Sequence, residues 1–239
     1  MTRYITTYFY NATELSLFFR LSNDLQNNPA KAIYNAWING AVIDSKGAVW
    51  IRRSKLHTIL RTTKAIALFK IRDIGSRYRE QYGKETMIHG TQIGALIDTL
   101  ITEARTHRGS KYALYSEKLY MSIRDSEYAL TKRLEYGEYL MTARRNLKSK
   151  RKRKFDIKSD ELTGTRLLTS GEFSHIRSAS LYPDLSDKVW NGLLVNKKTH
   201  DKITKGNVCN EKDLIRMCKK HGWKVQWYEP YGRHIARYD

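Results

Sequence analysis

The sequence predicts an α+β chain, with a mainly helical region over residues 1–150 and a small α+β module over residues 151–239. Three observations carry this. Apolar residues recur at helical spacing along much of the first region, residues 172–205 run in the order strand, loop, strand, helix, and the charge is unevenly distributed. Of 44 Lys and Arg, 29 precede residue 155, against 13 of the 24 acidic residues. A length of 239 residues, 41% of them hydrophobic, suffices for one large core or two small ones.

Thr13 is placed to cap a first helix carrying Leu15, Phe18, Phe19 and Leu21. Residues 40–52 read as a hairpin: Ala41-Val42-Ile43, a turn at Asp44-Ser45-Lys46-Gly47, then Ala48-Val49-Trp50-Ile51. Ser54 is placed to cap a helix with Leu56, Ile59 and Leu60 on its apolar edge. Residues 91–104 give the clearest helix, with Ile93, Leu96, Ile97, Leu100 and Ile101 on one face. After a break at 107–110, residues 111–147 read as helix with six tyrosines, which suit packing better than base stacking. Residues 150–160 mark the expected boundary.

The formal net charge of +20 points to a polyanionic partner, because neutralising phosphates releases condensed counterions. Residues 144–154 concentrate it: Arg144, Arg145, Lys148, Lys150, Arg151, Lys152, Arg153 and Lys154 form a candidate phosphate-gripping arm, the other readings being a solvated helix end and a nuclear-localisation signal. Two cysteines, Cys209 and Cys218, give neither a disulfide framework nor a zinc knuckle. No stretch has the length and apolarity of a membrane span, and no secretory signal pattern opens the chain, so a cytoplasmic protein without a membrane partner is expected.

The segment richest in chemistry is 162–206. A strand over 172–176 ends near His175, a polar loop holds Pro183, Asp184 and Asp187, and a second strand over 190–195 opens with Asn191-Gly192. Asn196 then starts a helix with His200 in its first turn. Phosphodiester hydrolysis needs a base for water, a cation against the phosphate and a rigid loop. A neutral imidazole suits the first role, a second imidazole can ligate metal, and a side-chain amide can tie a loop to its own backbone.

Thr163-Gly164, His175-Ile176, Asn191-Gly192-Leu193-Leu194-Val195, His200 and Gly206 together resemble the HNH endonucleases, which have the ββα-metal fold and include restriction, homing and phage enzymes. The resemblance covers about 45 residues. It implies that His175 is the general base, that Asn191 orients the loop and that His200 ligates Mg²⁺ or Mn²⁺. It also implies cleavage of duplex DNA to 5′-phosphate and 3′-hydroxyl ends; cutting both strands would take a homodimer or two successive nicks. Two positions depart from the family. Ser174 stands where many members place a metal-binding Asp, leaving Glu172, Asp184 and Asp187 as substitutes, and no Cys pair for a structural zinc flanks the hairpin. Strand alternation sets Glu172 and His175 on opposite faces unless a bulge intervenes. A non-catalytic nucleic-acid-binding hairpin and an RNA-directed nuclease are the rival readings. His57, His89, His107, His221 and His234 are read as structural, and residues 211–221 as a helix closed by Gly222, followed by a strand over 223–228.

Overall fold

A computed structural model describes residues 10–15, 25–104 and 106–236. The chain forms two compact units, Met1–Tyr136 and Gly137–Asp239, each with its own core. This division precedes the expected 150/151 boundary, so the basic run belongs to the second unit. The run reads in sequence as an arm or a solvated helix end, and its helix buries Leu147 and Arg151.

In the first unit, β1 (Tyr10–Asn11) leads into a 3-10 turn, Ala12–Glu14, and Leu15 is extended. The expected helix from Thr13 does not form over these residues; Phe18, Phe19 and Leu21 lie outside the described ones. α1 (Asn27–Gly40) buries Ala30, Ile33, Trp37 and Gly40 along one face. The predicted hairpin follows as β2 (Ala41–Ile43) and β3 (Val49–Arg52), with Val42 opposite Trp50. Asp44 fixes its turn: Oδ1 accepts the Lys46 and Ala48 amides, and Oδ2 accepts Trp50 Nε1–H at 2.9 Å. Gly47 closes the turn at φ +76°, where a side chain is disfavoured.

Ser54 does not cap a helix. It sits in a 3-10 turn, and its amide donates to Glu85 Oε1. α2 (Leu56–Ile59) and α3 (Lys64–Lys70) follow, then a hairpin of β4 (Arg79–Tyr82) and β5 (Glu85–His89) that the sequence reading passed over. Its strands are largely polar, so no apolar alternation announces them. The result is a five-stranded antiparallel sheet in the order β1-β2-β3-β5-β4, more sheet than the mainly helical expectation allowed.

α4 (Gly90–Thr102) buries Ile93 and Ile97, as its periodicity predicts. α5 (His107–Arg124) begins where a break was expected, because Thr106 Oγ1 accepts the Gly109 amide and starts the helix four residues early. Tyr112, Tyr115 and Tyr120 are buried, consistent with packing. Trp37 Nε1–H donates to buried Ser116 Oγ at 2.8 Å, and Ser116 donates to the Ile59 carbonyl, so this core leaves neither polar group unsatisfied. α6 (Glu127–Arg145) follows a break at Asp125, and the unit division falls within it.

The second unit continues with α7 (Leu147–Phe155), β6 (Glu172–His175), β7 (Gly192–Val195), α8 (Lys197–Lys205), α9 (Glu211–His221) and α10 (Tyr228–Ile235). β6 and β7 pair antiparallel, Glu172 opposite Val195 and His175 opposite Gly192. Gly222 ends α9 at φ +66°, as expected. The expected strand over 223–228 is absent. Trp223, Val225 and Trp227 alternate in sequence, but Trp227 instead shares a helical spacing with Tyr231 and Ile235, and all three are buried in this unit's core. Among the described residues, no helix is long and apolar enough to cross a membrane.

Candidate active site

The hairpin is anchored from below by a buried carboxylate. Asp160 has no exposed surface; Oδ1 accepts the Leu162 and Thr163 amides, while Oδ2 accepts the Asn196 amide at 2.7 Å and Thr199 Oγ1 at 2.8 Å. Gly164, at φ +75°, returns its amide to the Asp160 carbonyl. These bonds join the 160–165 turn to the start of α8 without a cysteine pair. The Asn196 side chain does not cap α8. Its Oδ1 accepts the Leu168 amide and its Nδ2 donates to the Arg166 carbonyl, pinning the preceding loop.

Arg151 supplies a second anchor. It makes a bidentate pair with Glu161, both bonds 2.7 Å, and donates to the Val189 carbonyl. Arg151 is therefore structural and leaves the expected phosphate-gripping set: a buried guanidinium with all three nitrogens hydrogen-bonded within the protein is not available to DNA. Within the same run, Arg144 donates to Ser186 Oγ at 2.9 Å and Lys148 to the Thr169 carbonyl. Arg145, Lys150, Lys152, Arg153 and Lys154 are exposed.

Above the anchors, Asn191 holds the loop between the strands. Its amide has no exposed surface; Oδ1 accepts the Arg177 amide, and Nδ2 donates to the Arg177 and Leu185 carbonyls, each at 3.0 Å. One side chain thus bridges both ends of the loop. Gly192 beside it is required by packing, since a Cβ there would lie 2.3 Å from the Phe173 ring. Arg177 extends the brace through a bidentate pair with Glu211 on α9, which holds the Glu211 carboxyl below its usual range. Tyr231 also donates to Glu211.

His175 stands at the end of β6, its Nε2 3.0 Å from the Ser186 carbonyl. A carbonyl only accepts, so Nε2 carries the proton and the Nδ1 lone pair is left for another proton. Burial pushes the His175 pKa below the ordinary imidazole value, the hydrogen bond to the Ser186 carbonyl acts the other way, and Arg144 and His200 add to the lowering. Ser186 is itself held, donating to the Pro183 carbonyl while accepting from Arg144.

His200, in the first turn of α8, forms an ion pair through Nδ1 with Glu172. No bulge is needed. Glu172 pairs with Val195, two residues before α8, so the helix's first turn returns over that end of the strand pair. Asp187, by contrast, is engaged by Tyr139 and Lys188. Of the three substitutes for the missing Asp, Glu172 is the one that meets His200. Among the described residues, no cluster of three or more His, Cys, Asp or Glu is disposed to hold a metal ion. The protein groups that could reach a divalent cation here are one carboxylate and one imidazole, Glu172 and His200.

Comparison of the chain with known families, characterised proteins and solved structures gives no match.

Sequence reasoning named His175, Asn191 and His200, and all three fall in the β6–β7–α8 unit. It did not foresee the contribution of Ser186, Asp160, Glu161 or Glu211. Ser and acidic residues in loops carry no signal of their own until the backbone brings an amide or a guanidinium to them.

Proposed function

We propose that the second unit is a metal-dependent endonuclease of the HNH type, hydrolysing phosphodiester bonds in duplex DNA. The observation that carries this reading is the placement of His175 at the end of β6, where its Nε2–H donates to the Ser186 carbonyl and its Nδ1 is left to take a proton. A water placed at Nδ1 gives up its proton as it attacks phosphorus, and the 3′-oxygen leaves to yield 5′-phosphate and 3′-hydroxyl ends. Asn191 keeps the loop that presents Ser186 fixed, so the base does not swing away. Arg144 adds positive charge beside His175, suited to an approaching phosphate. Glu172 and His200 would hold the cation, which when bound would neutralise charge on the phosphate and the departing oxygen.

His200→Ala is expected to raise the Mg²⁺ or Mn²⁺ concentration needed for cleavage at least roughly tenfold, and to remove the binding heat seen by calorimetry. An unchanged metal titration would take His200 out of the site. A second reading, a non-catalytic nucleic-acid-binding module, draws on the Glu172–His200 pair, which is complete without a metal, and on buried Ser174 in the usual Asp position. Wild-type protein that binds DNA but takes up no Mn²⁺ would favour it.

The grip on DNA is assigned to the exposed part of the basic run. Neutralising Arg145, Lys150, Lys152 and Arg153 together is expected to lower the slope of log K against log salt by up to roughly 3–4, about equally for all sequences. A change below about one unit would place the grip elsewhere.

A further inference from the structure

The first unit carries an open cavity of about 460 Å³, distinct from the residues of the proposed active site. Its volume falls in the usual range for small-ligand sites. Leu56, Ala67 and Ile71 form an apolar wall, each at most 4% exposed, and exposed Leu68 completes it. The rim carries Arg53, Lys64 and Lys84, all exposed and without an ion pair among the described residues. The one carboxylate in the lining, Glu85, already accepts the Ser54 amide. Two exposed aromatics lie close in sequence to the lining residues, without lining the cavity themselves. Phe69, 64% exposed on α3, has Arg72 over its ring at 4.9 Å, and Tyr82, 42% exposed on β4, has Arg52 at 6.0 Å.

We propose that this cavity binds one unpaired nucleotide of a single nucleic-acid strand, the base against the Leu56–Ala67–Leu68–Ile71 wall and the flanking phosphates on Arg53, Lys64 and Lys84. Charge selects an anion, and the apolar wall selects an anion with a flat apolar face. Inorganic phosphate satisfies only the first. The arginine-backed exposed aromatics of this unit, Phe69 and Tyr82, offer stacking surfaces for further bases, the combination that single-strand binders use. A duplex keeps its bases stacked inside and presents only phosphates to such a cavity. The inference is independent of the nuclease reading, because it concerns binding by the other unit.

The test uses the full chain in EDTA, so that no cleavage intervenes, with a fluorescent oligothymidylate and a duplex of equal length. Leu68→Asn, an uncharged change at an exposed position, should weaken oligothymidylate binding roughly fivefold or more and leave duplex binding within about twofold. Arg53→Glu with Lys84→Glu should weaken the oligothymidylate roughly tenfold or more. Thymidine 5′-monophosphate should shift the Ala67 and Ile71 methyl resonances where inorganic phosphate does not. Unchanged oligothymidylate binding by Leu68→Asn would overturn the proposal, as would equal losses for duplex and single strand, or equal methyl shifts from phosphate and mononucleotide. His175→Ala should leave all of these readouts unaltered, so failure here is separable from failure of the nuclease assignment.

Discussion

His175→Ala is expected to lower DNA cleavage roughly 10²–10⁴-fold, the usual effect of removing a positioned base. Folding should survive. His175 is only partly buried and makes one hydrogen bond, to the Ser186 carbonyl, whose loss costs about 1 kcal/mol. DNA affinity in EDTA should stay close to that of the wild type, which separates loss of chemistry from loss of binding. The pH profile supplies a second check. The base works as neutral imidazole, and burial holds its pKa below the ordinary imidazole value, so the acid limb of wild-type activity should have its midpoint below that value. The same shift acts on stability with a definite sign. As pH falls from the unfolded imidazole value toward the lower folded one, the unfolded chain binds the extra proton and the native state loses stability. Cleavage by His175→Ala within a few-fold of wild type would remove His175 from its role.

Asn191→Ala should have the largest effect on stability as well as a large one on rate. The fully buried amide satisfies the Arg177 amide and the carbonyls of Arg177 and Leu185. Alanine leaves these backbone groups without that partner in a site closed to water, at a cost of about 3–5 kcal/mol. The loop also carries Ser186, which orients His175, so displacement by about 1 Å should reduce cleavage roughly hundredfold in whatever protein remains folded. Asn191→Asp tests the hydrogen-bond directions. A carboxylate still accepts from the Arg177 amide, but it faces two carbonyls with no proton to give, so it should rescue little. Urea denaturation and single-turnover cleavage measure both variants. A denaturation midpoint near that of the wild type would mean that Asn191 does not hold the loop.

How much of this was legible in the sequence depended on whether a residue's role is local. The β2–β3 hairpin was readable because Asp44 and Gly47 are turn residues flanked by apolar runs, and α4 because its apolar residues share one face. The β4–β5 hairpin was not, since its strands are polar and owe their pairing to β3. Trp223 to Trp227 misled because an alternating aromatic pattern can equally supply one residue of a helical stripe, and here Trp227 joins Tyr231 and Ile235. In the site, His175, Asn191 and His200 stood out by type and spacing. The tautomer of His175 did not, because it is set by a carbonyl eleven residues away. Nor could charge counting sort the basic run. Arg151 looks like its neighbours in sequence, and its structural role appears only where Glu161 and the Val189 carbonyl meet it. Glu172 was one of three candidate carboxylates until the first turn of α8 brought His200 back over the strand end.

The most direct measurement of the central claim is the conversion of supercoiled plasmid by the wild-type chain, followed with Mg²⁺, with Mn²⁺ and with EDTA. Open-circular or linear product bearing 5′-phosphate and 3′-hydroxyl ends, formed with either metal and absent with EDTA, is the result the account predicts. An intact plasmid under both metals, or cleavage that persists in EDTA, would contradict it.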